Sequence, residues 1–283
     1  MIASLTAIHF LITYGCSAEC DHCFIWGAPG RSAGIAVELV ESFLNQVRSV
    51  ESVTGVCAEG GESFTEYDVL VRFLRGATAR GLTASALTNA SWVESRQQAE
   101  ERIAELMAAG LTNLGISTDQ WHQRFIPVER VDVLLDVCAA AGLEASRMVT
   151  TIQGVMFRGR AAERLAGEMP TRPASKLTAC PHEKLGAPGR LHLDCYGNLH
   201  LCQGLILGRA PIAAAIAAYD PASHPVVRLL LTGGPYALGC YAATLGFDLA
   251  PGYVDACHLC YRAREFLRPH FPDLLGPDEM YGA

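Results

Sequence analysis

TAIHFLITYGCSAECDHC, residues 6–23, runs an apolar β-rich segment straight into three closely spaced cysteines. Its β-branched and aromatic residues predict a buried first strand over 6–13, ending in a loop that holds Cys16, Cys20 and Cys23. A buried strand that delivers a cluster of ligand-type side chains at its C-terminal end is the hallmark of a parallel α/β sheet. Working outward, further strands are expected at 53–58, 82–88, 111–117 and 143–150, with helices at 36–50, 64–80, 95–109 and 128–141. The last three helices stop before Gly81, Gly110 and Gly142, as left-handed C-terminal caps require. A sixth strand is expected near 190–195. Repeated strand–helix units imply parallel strands with right-handed crossovers, in an open sheet or a barrel-like wrap.

Polar or Gly-rich sequence follows each of these strands: Glu59-Gly60-Gly61-Glu62, Thr88-Asn89, Ser117-Thr118-Asp119, and Arg147 to Thr151. Together they predict one shared site at the strand ends. Beyond residue 165 the pattern changes. Pro170, Pro173, Pro181 and Pro188 interrupt the chain, and LHLDCYGNLHLC reads as a hairpin turning at Tyr196-Gly197-Asn198. Short helices near 211–218 and 225–231, a Gly- and Cys-bearing loop and a helix from about 258 are expected next. The boundary is set near 165–170, giving units 1–168 and 169–283.

Composition narrows the function. Hydrophobic residues make up 50% and charged residues 18% of the 283, which fits a folded domain with a substantial core. A net charge of −7 without any Lys/Arg cluster argues against nucleic acid or an anionic membrane as partner. The N-terminus lacks a basic n-region, and the apolar run 205–219 is broken by Arg209 and Pro211, so a cytoplasmic location is expected. Eleven cysteines cannot all pair within one chain; in a reducing compartment they point to metal binding or catalysis.

Cys16-x3-Cys20-x2-Cys23 can hold three irons of a cubane cluster and leave the fourth iron for an exogenous ligand. Zinc, with His22 as fourth ligand, is the alternative, and a redox pair of Cys20 and Cys23 would leave Cys16 unexplained. CSAECDHCF resembles the CxxxCxxC signature of the radical S-adenosylmethionine superfamily, and the likeness extends through the strand–helix units to about residue 195. That resemblance implies a partial (β/α)6 TIM-like barrel and a 4Fe-4S cluster. Its unique iron would bind S-adenosyl-L-methionine, whose one-electron cleavage gives a 5′-deoxyadenosyl radical that takes a substrate hydrogen. It further implies that His22 lies beside the adenine. Gly60, Gly61 and Glu62 would receive the methionine ammonium, Ser117 and Asp119 the ribose, and Arg147 the carboxylate, with Asn89 close by. Ser63 stands where the motif more often has proline. A reductant such as flavodoxin or ferredoxin is the implied electron donor.

Cys180, Cys195, Cys202, Cys240, Cys257 and Cys260 lie in the last third of the chain. Cys180, then Gly197 and Cys202 five residues on, is similar to the opening of the auxiliary-cluster extensions called SPASM and twitch. Their implied content here is one auxiliary 4Fe-4S cluster on Cys180, Cys202, Cys257 and Cys260, with Cys240 an alternative ligand, in a small Cys-rich α+β domain. A structural zinc on the same four residues stays open. Cys57 and Cys138 read as core. Cys195, just before the hairpin turn, is either a hydrogen-atom donor, as in peptide epimerases of the superfamily, or a non-ligating thiol beside a cluster.

A fully ligated auxiliary cluster favours net oxidation, by dehydrogenation or oxidative bond formation. No peptide-recognition segment is expected ahead of the first strand, so the expected substrate is a small molecule, or a peptide delivered by a separate protein. The loop Trp121-His122-Gln123-Arg124 could line the substrate side or only cover the sheet edge. A non-catalytic iron–sulfur or zinc-binding protein is the reading from another class.

Overall fold

A computed structural model describes residues 2–282. Five strand–helix units open the chain: β1 (Ala7–Thr13), α1 (Val37–Arg48), β2 (Gly55–Gly60), α2 (Tyr67–Ala79), β3 (Thr83–Thr88), α3 (Arg96–Ala109), β4 (Leu111–Ser117), α4 (Val128–Ala141) and β5 (Glu144–Met148). Gly110 and Gly142 cap α3 and α4 in the left-handed region at φ 108° and 73°. After the short α5 (Arg160–Arg164) and β6 (Arg172–Pro173) come β7 (Arg190–Leu193), β8 (Asn198–Cys202) and β9 (Leu205–Arg209). Then follow α6 (Ile212–Ala218), α7 (Pro225–Ala243), β10 (Gly252–Tyr253) and α8 (Ala256–Leu267).

One eight-stranded sheet runs in the order β5-β4-β3-β2-β1-β7-β8-β9. Its first six members are parallel, and β8 and β9 are antiparallel. The fold is therefore mixed α/β with a largely parallel sheet. A sixth parallel strand exists where the sequence places one, but it lies beyond β1 rather than beside the fifth: β7 pairs with β1, Ala7 against Arg190 and Phe10 against Leu193, and with β8 on its other side. Between β5 and β7 only short helical turns form, because prolines interrupt the segment. No full-length helix is available there to cover another strand beyond β5.

Period-two alternation splits the sheet into two faces. Ile8, Phe10 and Ile12 of β1 are fully buried, and Phe10 meets Phe73 of α2 with ring centroids 4.9 Å apart. His9 and Leu11 face the other way, into a cavity shared with Glu59, Leu87, Ser117 and Met148. One face thus packs on helices and the other walls the site. Leu191, Leu193, Leu199 and Leu201 of the hairpin are all buried in the same core as β1.

The expected loop around Cys240 is instead helical. Gly233 and Gly234 break α7, and Pro235 restarts it, since a proline is favourable in a first helical turn. Among the described residues no helix is long and apolar enough to cross a membrane.

Candidate functional site

The C-terminal ends of β1 to β5 surround a cavity of about 390 Å³, a size suited to a small-molecule ligand. Cys16, Cys20, Cys23 and His22 line it from the loop after β1. Gly60, Gly61 and Glu62 line it from β2, Asn89 from β3, and Ser117 and Asp119 from β4. Every one of these positions was readable in the sequence as a strand-end residue.

The three thiols share one short loop whose backbone is held from outside. Ala18 N–H donates to Cys16 Sγ at 3.4 Å, and Asn89 Nδ2 reaches the same sulfur at 3.6 Å. Burial pushes the Cys16 thiol up to about 12 and raises Cys20 as well. A redox pair needs the reverse, a lowered thiol pKa. Three thiols on one short loop, all lining one cavity, fit an iron–sulfur centre with one open position.

Arg160, fully buried, braces the loop: it donates to the carbonyls of Cys20 and Gly27 at 2.9 Å each, and its backbone N–H to Cys23 O at 2.9 Å. Trp26 lies under its guanidinium. Sequence reading missed Arg160 because its partners are carbonyls more than 130 residues away.

Gly60 and Gly61 permit a backbone approach that no other residue allows. A Cβ on Gly60, at φ 145°, would sit 2.4 Å from Thr13 O, and one on Gly61 2.0 Å from Gly15 O. Glu62 accepts from Asn89 N–H (2.6 Å), Thr88 Oγ1–H (2.8 Å) and Phe64 N–H (3.1 Å). Its carboxyl thus ties β2 to β3. Burial pushes it up to about 7, against the lowering by those donors.

That shift has a testable sign. Between its ordinary value of 4.5 and about 7 the folded state keeps the Glu62 proton while the unfolded chain has lost it. Stability should therefore fall as pH rises through this window, by up to about 1.4 kcal/mol per unit. His192, His224 and His258, lowered by burial, contribute the opposite slope below about pH 6.5. The test is therefore the difference between wild type and Glu62→Gln in urea unfolding of the metal-free protein from pH 5 to 7.5, which should fall with rising pH. Glu59 and Asp119, both held below their ordinary range, act only at lower pH.

Asp119 is buried, which alone would raise its pKa; His122 and His22 outweigh that and hold it well down. His22 Nε2 lies 3.3 Å and His122 Nδ1 3.0 Å from its oxygens. His22 stacks on Trp121 at 4.6 Å, and of the loop after β4 it is His122 that lines the cavity. Arg124 instead pairs with Asp21 at the surface. Arg147 does not reach the cavity. Register aligns it with Ile116, on the helix-facing side, and it pairs with Asp132 of α4, while Met148 takes the inward position beside Ser117.

Cys180, Cys202, Cys257 and Cys260 converge on a second, smaller cavity. Arg158 and Arg264 are buried against it. Burial would lower both guanidiniums, yet Cys202 and Cys257 raise Arg158, and Tyr281 first, then Cys260, Cys202 and Cys257, raise Arg264. The Nε atom of each lacks a hydrogen-bond partner among the described residues. Two buried cations facing four thiols fit an anionic metal–thiolate centre. Arg158 also lines the first cavity, so it separates the two.

Cys240 and Cys195 line neither cavity. Cys240 lies in the second half of α7, beside Tyr236. Cys195 is buried near Asp194, Tyr196, Tyr14 and Glu279, in the core with Leu191 and Leu193. Cys195→Ala should therefore leave any metal held in either cavity in place, checked by metal assay against wild type.

No protein-family description matches the sequence, and no curated protein does. Among solved structures the chain resembles BtrN in complex with AdoMet and 2-DOIA, at a TM-score of 0.56 and 13% identity, covering 87% of this chain and 91% of that one. It also resembles selenomethionine BtrN in an open conformation, at a TM-score of 0.51 and 13% identity, covering 87% and 90%. The chain shares its fold with BtrN over about nine-tenths of each molecule.

Proposed function

We propose that this chain is a radical S-adenosylmethionine enzyme that removes a hydrogen atom from a small-molecule or peptide substrate in a net oxidation. The observation that carries the reading is the convergence of three loop thiols with the Gly60–Glu62 turn, Asn89, Ser117 and Asp119 on one cavity. Three thiolates leave one iron of a cubane with an open position. Likeness in fold to BtrN, a protein solved with AdoMet, supports the same cofactor here.

When bound, the cluster and S-adenosylmethionine supply a 5′-deoxyadenosyl radical that accepts the substrate hydrogen. The chain's own part is positional. Gly60 and Gly61 bring the β2 turn against the cysteine loop, where backbone carbonyl oxygens would accept from the methionine amino group. Glu62, Thr88 and Asn89 lock that turn, Asn89 linking it to Cys16 and Ser17. Arg160 fixes the loop from behind. Asp119, held low by two histidines, would accept from the ribose hydroxyls.

Cys180, Cys202, Cys257 and Cys260 give the second centre four protein ligands, and hence no open position for substrate. An electron-accepting role follows, and net oxidation with it. A reductant such as flavodoxin or ferredoxin fits as the electron source.

A competing reading has one specific support: donor atoms of Cys20, His22 and His122 lie within 4.8 Å of one another, a spacing zinc could use. Anaerobic reconstitution separates the two. The radical reading expects about eight irons per chain and 5′-deoxyadenosine after dithionite. Tightly held zinc with no 5′-deoxyadenosine would end it. Deuterium transfer from labelled candidates into 5′-deoxyadenosine then identifies the substrate class.

A further inference from the structure

His9 of β1, Glu59 of β2 and His192 of β7 meet on the inward face of the sheet, on three adjacent parallel strands. Glu59 Oε2 lies 3.0 Å from His9 Nδ1, Glu59 Oε1 contacts His192 Nδ1, and one donor atom from each residue falls within 4.8 Å of the other two. All three line the large cavity, with His192 fully enclosed and His9 partly open. None of the three is used by the cofactor reading above.

We infer that His9, Glu59 and His192 form a binding site for a divalent first-row cation, with open coordination positions facing the cavity.

Two features support it. Two imidazoles and one carboxylate on one side of a cation is the donor set that binds iron(II) or manganese(II) and leaves sites for exogenous oxygen ligands. The second feature is Gln203. Its side chain is 6% exposed, its amide nitrogen sits 3.5 Å from both ring nitrogens of His192, and its Oε1 has no hydrogen-bond partner among the described residues. The amide O and N are similar in shape, and with the two exchanged the oxygen would lie 3.5 Å from His192 Nε2, an acceptor for its N–H after a small side-chain rotation. A metal-ligating histidine needs such a partner to fix Nδ1 as the lone-pair donor.

A hydrogen-bonded His–Glu–His cluster without metal is the competing arrangement, and a titration decides between them. Manganese(II) is the probe because it disfavours thiolates. The cluster-reconstituted, chelator-washed protein is titrated with MnCl2 while free ion is read by room-temperature EPR. One site per chain is expected. Its affinity should fall at least tenfold in His9→Ala and Glu59→Gln, and about 10–100-fold in Gln203→Leu. Cys20→Ala should leave it in place, which keeps this test independent of the radical reading. Undiminished free-ion signal with the wild-type protein, or equal binding by wild type and the His9 and Glu59 variants, overturns the inference.

Discussion

Cys20→Ala should lower bound iron from about eight per chain to about four and leave 5′-deoxyadenosine at background. Cys20 is the most enclosed of the three loop thiols, at 5% exposure, and its carbonyl also receives Arg160 and Cys23 N–H. On the proposed reading, removing the sulfur would take one of three ligands from a cluster with one open corner, and among the described residues no spare thiol lines that cavity. The second set of thiols lies in a separate cavity beyond Arg158 and should keep its irons. Cys257→Ala is the mirror experiment: about four irons lost, with reductive cleavage of the cofactor retained. Its substrate oxidation should be lost, since the second centre is the proposed electron acceptor. Iron and sulfide assays with chromatography of 5′-deoxyadenosine check both. If Cys20→Ala retained cleavage, the three-thiol loop would not be the cofactor site.

What the sequence disclosed follows from how local each signal is. Cys16, Cys20 and Cys23 declare themselves within eight residues, and Gly60-Gly61-Glu62 within three. Strand ends were legible because apolar runs stop where polar ones begin, and the structure places Asn89, Ser117 and Asp119 together for that reason. Arg147 shows the limit. EASRM has no apolar alternation to set its phase, so nothing local says that Met148 points inward and Arg147 toward α4. Arg158 and Arg160 were invisible for another cause. They lie in or beside an irregular stretch, and their partners are thiols and carbonyls distant in sequence. His9 and His192 did carry a signal that could be read. A histidine between Ile8 and Phe10, or between Leu191 and Leu193, is a polar residue at the inward phase of a buried strand. The partner chosen by β7 could not be read, since pairing with β1 or with β5 leaves the same apolar pattern.

Gly61→Ala tests how far the site depends on backbone contact. Gly61 N–H donates to Thr13 O at 2.7 Å and Glu62 N–H to Gly15 O at 2.8 Å, which stitches the β2 turn to the segment that leads into Cys16. The new methyl would lie 2.0 Å from Gly15 O and 2.8 Å from Tyr14 O. Both are backbone atoms, so no side chain can swing away, and the two segments must part by about an ångström. Overpacking of this kind costs about 1–3 kcal/mol, and each strained hydrogen bond about 1 more. The expected result is a fall in Tm of roughly 10 °C by calorimetry. Catalysis should suffer more than stability, because a shift of about 1 Å at a reacting centre costs on the order of a hundredfold. Gly167→Ala is the matched control: its Cβ meets nothing within 4 Å, and its backbone does not require glycine. Equal behaviour of the two variants would mean that the turn tolerates separation from the cysteine loop. The close approach would then not be what aligns the cofactor end of the cavity.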